Sequence, residues 1–209
     1  MDGEAVGAAR SSGQGSSTPR PPTIAILGAG AAGLCMGIQL KKAGISSFTI
    51  FEKSERLGGT WFDNHYPGAG CDVPSHLYCF SFEPKVDWSR PYATQPEILD
   101  YLEHCVDAYG LDPFLRLGCG VSAARWDDAD GAWHVTTDDG QVTTVDVLVS
   151  ALGMFNDLVE PDLPGLDAFA GVVPPGRVEG RALEGVETEK FWHVGAVELS
   201  RRAHQDLRA

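Results

Sequence analysis

Three features within residues 23–53 predict an α/β fold with a parallel sheet: a β-type run, a glycine-rich turn that opens a helix, and a second β-type run. The runs Thr23–Leu27 and Ser47–Phe51 are short, apolar and rich in residues that favour strands. Between them, residues 34–43 show helical periodicity. The apolar side of that helix carries Leu34, Ile38 and Leu40. Strand, helix and strand in this order form a parallel βαβ unit.

The turn between the first strand and the helix contains Gly28, Gly30 and Gly33 in the spacing G-x-G-x-x-G. The first glycine allows the tight turn, the second lets the backbone approach a pyrophosphate, and the third lets the helix pack on the strand. Glu52 ends the second run, where an acid can bind a ribose diol. A glycine-rich turn without a ligand is the alternative. The acid disfavours a 2′-phosphate, so the pattern favours FAD or NAD over NADP.

The composition excludes several kinds of partner. The 209 residues carry a net charge of −13, which repels nucleic acid and anionic membrane surfaces. No apolar run approaches the roughly 18 residues of a membrane-spanning helix. Five cysteines without a C-x-x-C pair argue against a disulfide framework and against a metal site. We therefore expect no nucleic acid, no membrane span, no metal and a cytoplasmic location.

An unusual stretch, GGTWFDNHYPGAGCDVPSHLY, occupies residues 58–78. Its glycines and prolines exclude a long helix, yet it carries four aromatic residues and the acid Asp72. Function is the preferred interpretation for Trp61 and Tyr78, and ordinary packing for Phe62 and Tyr66. The alternative role for Asp72 is to form a turn or cap a helix.

The remaining elements are a helix and a β-meander. Thr94 and Glu97 have the spacing of a capping box, and Gly110 stops the predicted helix. Residues 121–152 contain three β-type runs separated by turn signals. The end of the last run, Val147–Leu152, is predicted to be a strand buried on both faces.

The order of these motifs closely resembles flavin-dependent monooxygenases of the Baeyer–Villiger type. The acid Glu52 is followed by GGTW, then by YPGAGCD, and further on by the QPEI that opens the second helix. The resemblance runs from about residue 23 to residue 170 and covers the N-terminal, FAD-binding part of that family. It implies a Rossmann-like FAD/NAD(P)-binding domain with a parallel sheet and an inserted β-meander.

The resemblance implies a set of site residues. Asp72 matches the family's active-site acid, and Tyr78 matches a tyrosine that contacts the flavin. The implied cofactors are FAD and, in the complete family, NADPH; the implied substrate is a small ketone or a soft heteroatom compound. The implied cofactor-binding residues are Gly28, Ala29, Gly30, Ala32, Gly33, Glu52, Lys53, Gly59, Thr60, Trp61, Asp72, Tyr78 and Val121.

The resemblance weakens after Gly153. No second G-x-G-x-x-G follows, so the NADPH domain of the family is predicted to be absent. A family fingerprint begins at Phe169–Gly171 without its His and Trp, and Phe191–Val194 is a weak candidate for the closing strand. The predicted organisation is a disordered leader over residues 1–22, an FAD-binding domain over 23–155 and a divergent tail over 156–209.

Two functions remain open from the sequence. The first is the FAD-binding part of a flavin monooxygenase, incomplete as an independent catalyst. The second is a catalytically inactive, truncated flavin-binding or interaction domain. Neither the substrate nor the oligomeric state follows from the sequence.

Overall fold

A computed structural model of the chain describes residues 20–153. Two short 3₁₀ turns, at Ser75–Leu77 and Asp112–Phe114, accompany the helices. In chain order the helices and strands are β1 (Ile24–Leu27), α1 (Ala31–Lys42), β2 (Phe48–Phe51), α2 (Thr60–Asp63), α3 (Gln95–Tyr109), β3 (Leu115–Arg116), β4 (Val121–Asp127), β5 (Ala132–Thr137), β6 (Val142–Val145) and β7 (Val147–Ser150).

The larger sheet is parallel and has the order β3-β2-β1-β7. Helix α1 connects β1 to β2, which confirms the predicted βαβ unit. It begins at Ala31, three residues before the predicted start, and ends at Lys42. The main core contains fully buried side chains from the sheet and from both long helices, among them Ile26, Leu34, Ile50, Ile98 and Leu102.

The predicted meander forms a second, antiparallel sheet with the order β4-β5-β6. Glycines with positive φ, Gly131 and Gly140, lie at its two turns, as the turn signals predicted. The third β-type run is divided at Asp146: β6 completes the antiparallel sheet, and β7 joins β1 in the parallel sheet. The fold class predicted from the sequence is therefore confirmed.

The prediction that Val147–Leu152 is buried on both faces is wrong. Strand β7 lies at the end of the described sheet, and Val147 and Leu152 are 40% and 54% exposed. A short apolar run has the same composition at the edge of a sheet as at its centre, so the sequence could not distinguish these positions.

The predicted capping box at α3 is also wrong. Thr94 is the N-cap residue but makes no side-chain capping hydrogen bond. The carboxylate of Glu97 instead accepts hydrogen bonds from the amide and the hydroxyl of Ser89, both at 2.8 Å. The end of the helix is as predicted, because Gly110 adopts the left-handed conformation with φ 58°.

Asp146, which directly precedes β7, forms hydrogen bonds with residues that lie just before β1. Its carboxylate accepts two hydrogen bonds of 2.7 Å from the Arg20 guanidinium and two of 2.7 Å from the amide and hydroxyl of Thr23.

The domain boundaries proposed from the sequence stay predictions. The expectations for Phe169–Gly171 and Phe191–Val194 lie outside the described residues.

Two further findings concern the described part of the chain. Across residues 20–153, none of the helices has both the length and the apolar character that crossing a bilayer requires. All five cysteines are free thiols.

Candidate functional site

A cleft of about 350 Å³ opens at the carboxyl ends of β1 and β2. This is where open parallel α/β sheets usually bind ligands. Three sets of residues line much of it. The glycine wall comprises Gly28, Gly30, Ala31 and Ala32; the aromatic wall comprises Thr60, Trp61 and Tyr78; the hairpin wall comprises Cys119, Gly120, Val121 and Asp138.

The three glycines of the turn have different structural roles. Gly28 has φ +103°, and a Cβ on it would lie 2.6 Å from the Ala151 carbonyl oxygen. A Cβ on Gly33 would lie 1.9 Å from the Gly28 carbonyl oxygen, so this glycine is required for α1 to pack on the turn. A Cβ on Gly30 would meet only the Cα of Gly59, at 3.7 Å. The fold therefore does not require a glycine at position 30, and the open space beside it faces the cleft.

The N-terminus of α1 presents backbone donors to the cleft. Its N-cap is Gly30, which has no side chain to bond the free amides of the first turn. The positive end of the helix dipole adds to their attraction for an anion. Lys53 is the single basic residue among the described lining residues, against Glu52, Asp63 and Asp138. An anionic group here would thus be held mainly by backbone amides.

Glu52 is oriented by hydrogen bonds from the backbone. It is 6% exposed and lines the cleft. One carboxylate oxygen accepts from the amide of Ala29 at 2.7 Å, and the other accepts from the amide of Ser54 at 2.9 Å. Each oxygen retains acceptor capacity. The carboxylate can therefore accept hydrogen bonds from hydroxyl groups of a ligand while keeping its two hydrogen bonds to the backbone.

The aromatic wall is held by side-chain contacts. The Trp61 and Tyr78 rings meet edge to face, with centroids 5.6 Å apart, and the indole N–H donates to the Tyr78 hydroxyl at 3.1 Å. The side-chain amide of Gln95, at the start of α3, donates to the Trp61 carbonyl. Burial raises the pKa of Tyr78, and the nearby charge of Asp72 acts in the same direction. The phenol therefore stays protonated and can donate a hydrogen bond.

The hairpin wall comes from the segment that enters β4 and from the β5–β6 turn. The Asp138 amide donates to the Gly120 carbonyl at 2.9 Å, which joins the two segments. The Cys119 amide donates to the Glu52 backbone carbonyl at 2.8 Å and so attaches this wall to the end of β2. The second sheet thereby contributes to the same cleft as the glycine-rich turn.

The cleft brings together ten of the thirteen residues that the sequence singled out. Ala29 and Gly33 do not line it; Ala29 instead bonds Glu52, and Gly33 packs against Gly28. Asp72 is exposed and does not line the cleft either. The ten are Gly28, Gly30, Ala32, Glu52, Lys53, Gly59, Thr60, Trp61, Tyr78 and Val121.

Sequence reasoning did not find several lining residues. Most belong to the hairpin wall or to the segment that follows β7. The resemblance implies a small-residue crossing next to the cofactor at Gly153 but assigns this residue no binding role, and Asp138 precedes the hairpin-turn signal Asp139-Gly140 without a signal of its own. The residues missed are Leu27, Ala31, Phe51, Gly58, Asp63, Cys119, Gly120, Asp138, Ala151, Leu152 and Gly153.

A separate group of possible metal ligands lies at the β4–β5 turn. Atoms of Asp127, Asp130 and His134 come within 4.8 Å of one another. Their hydrogen bonds are those of a turn: Asp127 accepts from the amides of Ala129 and Asp130, and the Asp130 carboxylate lies 3.1 Å from a His134 ring nitrogen. Turn formation accounts for this group.

Comparison with known proteins identifies the class of domain. A family model described as an NAD(P)-binding Rossmann-like domain matches residues 26–94. With the parallel sheet, the glycine-rich turn and the acid after β2, this makes the described part of the chain a Rossmann-like nucleotide-binding domain.

The more specific relationship is to Baeyer–Villiger monooxygenases, as the resemblance predicted. The chain is 45% identical over 150 residues to such an enzyme of Streptomyces coelicolor, and 42% identical over 150 residues to one of Pseudomonas aeruginosa. These alignments include 72% of this chain but only 29% and 28% of the relatives. A crystal structure of OTEMO in complex with FAD and NADP gives a TM-score of 0.64 at 34% identity, covering 72% of this chain and 29% of that one.

The matched part of the chain is thus homologous to flavin-dependent monooxygenases of the Baeyer–Villiger type. The chain spans less than a third of the length of the curated relatives it matches.

Proposed function

We propose that the cleft binds FAD, and that this chain provides the flavin-binding part of an NADPH- and O₂-dependent monooxygenase acting on a ketone or a soft heteroatom. One observation carries the proposal. The cleft combines backbone donors at a helix N-terminus, a supported carboxylate at the end of β2 and an aromatic wall, all within one volume. Pyrophosphate, ribose and flavin ring require these three kinds of neighbour.

Each wall has a distinct role in this proposal. The free amides beside Gly30 bind the pyrophosphate, and the space left by the missing side chain lets it approach. The Glu52 carboxylate accepts hydrogen bonds from the hydroxyl groups of the adenosine ribose. Trp61 and Tyr78 contact the flavin ring system, which supplies the redox chemistry when it is bound. The protein binds the cofactor, orients it and limits its exposure to water.

The cofactor test compares FAD with NADP on the purified 209-residue chain. We expect FAD to bind more tightly, because the carboxylate of Glu52 repels a 2′-phosphate. A retained yellow colour, with the visible absorption of a bound flavin, is the direct readout. Tighter binding of NADP than of FAD would contradict the proposal.

Variants of Gly30 locate the binding. The variants Gly30→Ala and Gly30→Val place methyl groups in the space beside the α1 amides, so we expect FAD affinity to fall in that order. Asp107→Asn, which changes an exposed acid of α3, is the matched control. Similar far-ultraviolet spectra would show that all variants are folded. Unchanged FAD affinity in Gly30→Val would mean that the turn does not contact the cofactor.

A second candidate function is flavin binding without turnover by this chain alone. It is favoured by the position of Asp72, the predicted active-site acid, which is exposed and outside the cleft. An acid in this position does not orient reactants inside the cleft, and orientation of reactants contributes on the order of 7–11 kcal/mol to barrier reduction.

Turnover by the isolated chain tests the second candidate. We expect the FAD-loaded chain not to couple NADPH oxidation to ketone oxygenation, whereas slow NADPH oxidation with release of peroxide fits the second candidate. The assay follows NADPH consumption with cyclic and aromatic ketones and quantifies the products. Substrate-dependent ester formation at ordinary enzyme rates would rule out the second candidate.

A further inference from the structure

Tyr101 is a buried tyrosine of α3 whose hydroxyl bonds the loop that follows Tyr78. We propose that Tyr101 is a positioning residue of the flavin site, which holds the ring of Tyr78 in place by fixing the backbone amide of Phe80. This inference rests on the proposed function, since it requires that a flavin occupies the cleft. It extends that function by assigning a role to a residue that does not line the cleft.

Both hydrogen bonds of this hydroxyl go to the loop backbone. The hydroxyl accepts from the Phe80 amide at 2.7 Å and donates to the Glu83 carbonyl at 2.8 Å. The Glu83 amide in turn donates to the Phe80 carbonyl at 3.0 Å, which closes a turn over residues 80–83. Burial raises the pKa of Tyr101, so the phenol stays protonated and keeps its single O–H for Glu83. The hydroxyl thus fixes both ends of the turn to α3.

The hydroxyl, rather than the ring, makes this connection. The side chain of Tyr101 is 4% exposed, and the centroid of its ring lies 5.8 Å from that of Phe80 and 5.7 Å from that of Trp88. A phenylalanine would fill the same space and keep these ring contacts. It would leave the Phe80 amide and the Glu83 carbonyl without this partner, which costs free energy where water is partly excluded. The change Tyr101→Phe therefore isolates the connection to the loop.

Tyr78 lies between two fixed points of the backbone. On the N-terminal side, its amide donates to the Ser75 carbonyl at 3.0 Å, and the fully buried Ser75 donates its own amide to the Pro91 carbonyl at 2.7 Å. On the C-terminal side, the Phe80 amide is held by Tyr101. Two residues span at most about 7 Å, and the peptide bonds between them are planar, so a displacement at Phe80 is transmitted to Tyr78.

Helix α3 holds both members of the ring pair that faces the cleft. Gln95, six residues before Tyr101 on this helix, donates its side-chain amide to the Trp61 carbonyl. Tyr101 holds Tyr78 through the Phe80 amide. The two rings then meet through the hydrogen bond of 3.1 Å from the Trp61 indole to the Tyr78 hydroxyl. A single rigid element therefore sets the position of both rings, as a precise binding site requires.

The experiment compares FAD binding by wild-type protein, Tyr101→Phe and the matched control Tyr109→Phe. The control loses a tyrosine hydroxyl at the far end of the same turn, where Tyr109 donates to the Glu83 carboxylate at 2.9 Å. We expect Tyr101→Phe to lower FAD affinity about fivefold, the effect of one ordinary hydrogen bond. It should also shift the visible absorption band of the bound flavin, which depends on the contacts of the flavin ring. The control should keep the wild-type affinity and band.

A double variant shows whether Tyr101 acts through Tyr78. Tyr78→Ala removes the ring that Tyr101 positions, so adding Tyr101→Phe to it should leave FAD affinity almost unchanged. A merely structural role of Tyr101 would lower the urea midpoint in both backgrounds without moving the flavin band. A fivefold loss of affinity that persists in the Tyr78→Ala background would overturn the inference.

A second change tests the same hydrogen bond from the side of the loop. Replacing Phe80 by its α-hydroxy analogue turns the N–H into an ester oxygen, which cannot donate to Tyr101 and leaves every side chain in place. This protein should show the same loss of affinity and the same shift of the band, and it covers the case in which Tyr101→Phe does not fold.

The remaining outcomes separate this inference from the proposed function. Wild-type protein that binds FAD, with unchanged affinity and band in Tyr101→Phe and in the ester variant, would overturn the inference alone. An equal shift of the band in Tyr109→Phe would do the same, because the band would then report a general loosening of the turn. Failure of wild-type protein to bind FAD at all would instead overturn the proposed function.

Discussion

Two walls of the same cleft are held by different forces. The glycine wall is fixed by backbone packing: Gly33 lies against the carbonyl of Gly28, and Gly28 lies against the carbonyl of Ala151. The aromatic wall depends on side-chain hydrogen bonds between Trp61, Tyr78 and Gln95. A backbone contact has no room for an added atom, whereas a side-chain contact can be removed with a limited loss of stability. The two walls should therefore differ sharply in their tolerance to substitution.

The largest expected effect is at Gly33. The change Gly33→Ala should lower the free energy of unfolding by about 3 kcal/mol, because its Cβ would overlap a backbone carbonyl that cannot move freely. Urea denaturation measures the loss. The control Gly30→Ala, whose Cβ has space in the protein, should cost at most about 1 kcal/mol, the usual penalty of alanine at an N-cap. Equal losses in the two variants would remove the distinction between a packing glycine and a ligand-facing glycine.

A smaller effect is expected at the aromatic wall. Trp61→Phe removes the N–H donor to Tyr78 but keeps an aromatic ring, so we expect a loss of about 1 kcal/mol. Tyr78→Phe removes the other partner, and the double variant completes a cycle that isolates the coupling energy. The unfolding free energies of the four proteins should give a coupling of about 0.5–1.5 kcal/mol. A coupling of zero would show that the hydrogen bond does not support this wall.

The smallest effect should appear at the solvent-exposed clamp, the group of hydrogen bonds that Asp146 accepts from Arg20 and Thr23. Its Arg20 guanidinium, helped by the amide and the hydroxyl of Thr23, holds the pKa of Asp146 well below its ordinary value. The native pKa is thus lower than the unfolded value of about 3.9, so the stabilisation is present above that pH and is lost as pH falls toward the native value.

Comparing wild-type protein with Asp146→Asn tests this clamp. The difference between their urea midpoints should be constant from pH 8 to about pH 5 and shrink below pH 4. A difference that grows on acidification would reverse the assigned direction of the pKa shift.

The glycine wall could be predicted from the sequence, because its logic is local. The spacing of Gly28, Gly30 and Gly33 determines a turn and a helix start within six residues, and Glu52 follows at the end of the next strand. Long-range information was needed for the hairpin wall. The approach of Asp138 to Gly120 depends on how the second sheet is placed against the first, and no short motif encodes it.

The two wrong predictions, the capping box and the strand buried on both faces, also concern features that depend on long-range contacts. Glu97 has the spacing of a capping box, but Ser89, eight residues earlier, offers two donors that the pattern does not include. Val147–Leu152 has the composition of a central strand, yet its place in the sheet depends on which elements lie beyond it. Local rules predicted the elements, and tertiary contacts decided how they are used.

The pairing of β1 with β7 also determines the order in which the cleft can be completed as the chain is synthesised. Ile24 pairs with Phe48 in β2 on one side and with Val147 in β7 on the other. The second contact closes a loop about five times longer than the first, at an extra entropic cost of about 1.4 kcal/mol. The βαβ unit can therefore form while the later strands are still being made. The segment Ala151–Gly153, which lines the cleft directly after β7, takes its place only when β7 has left the ribosome.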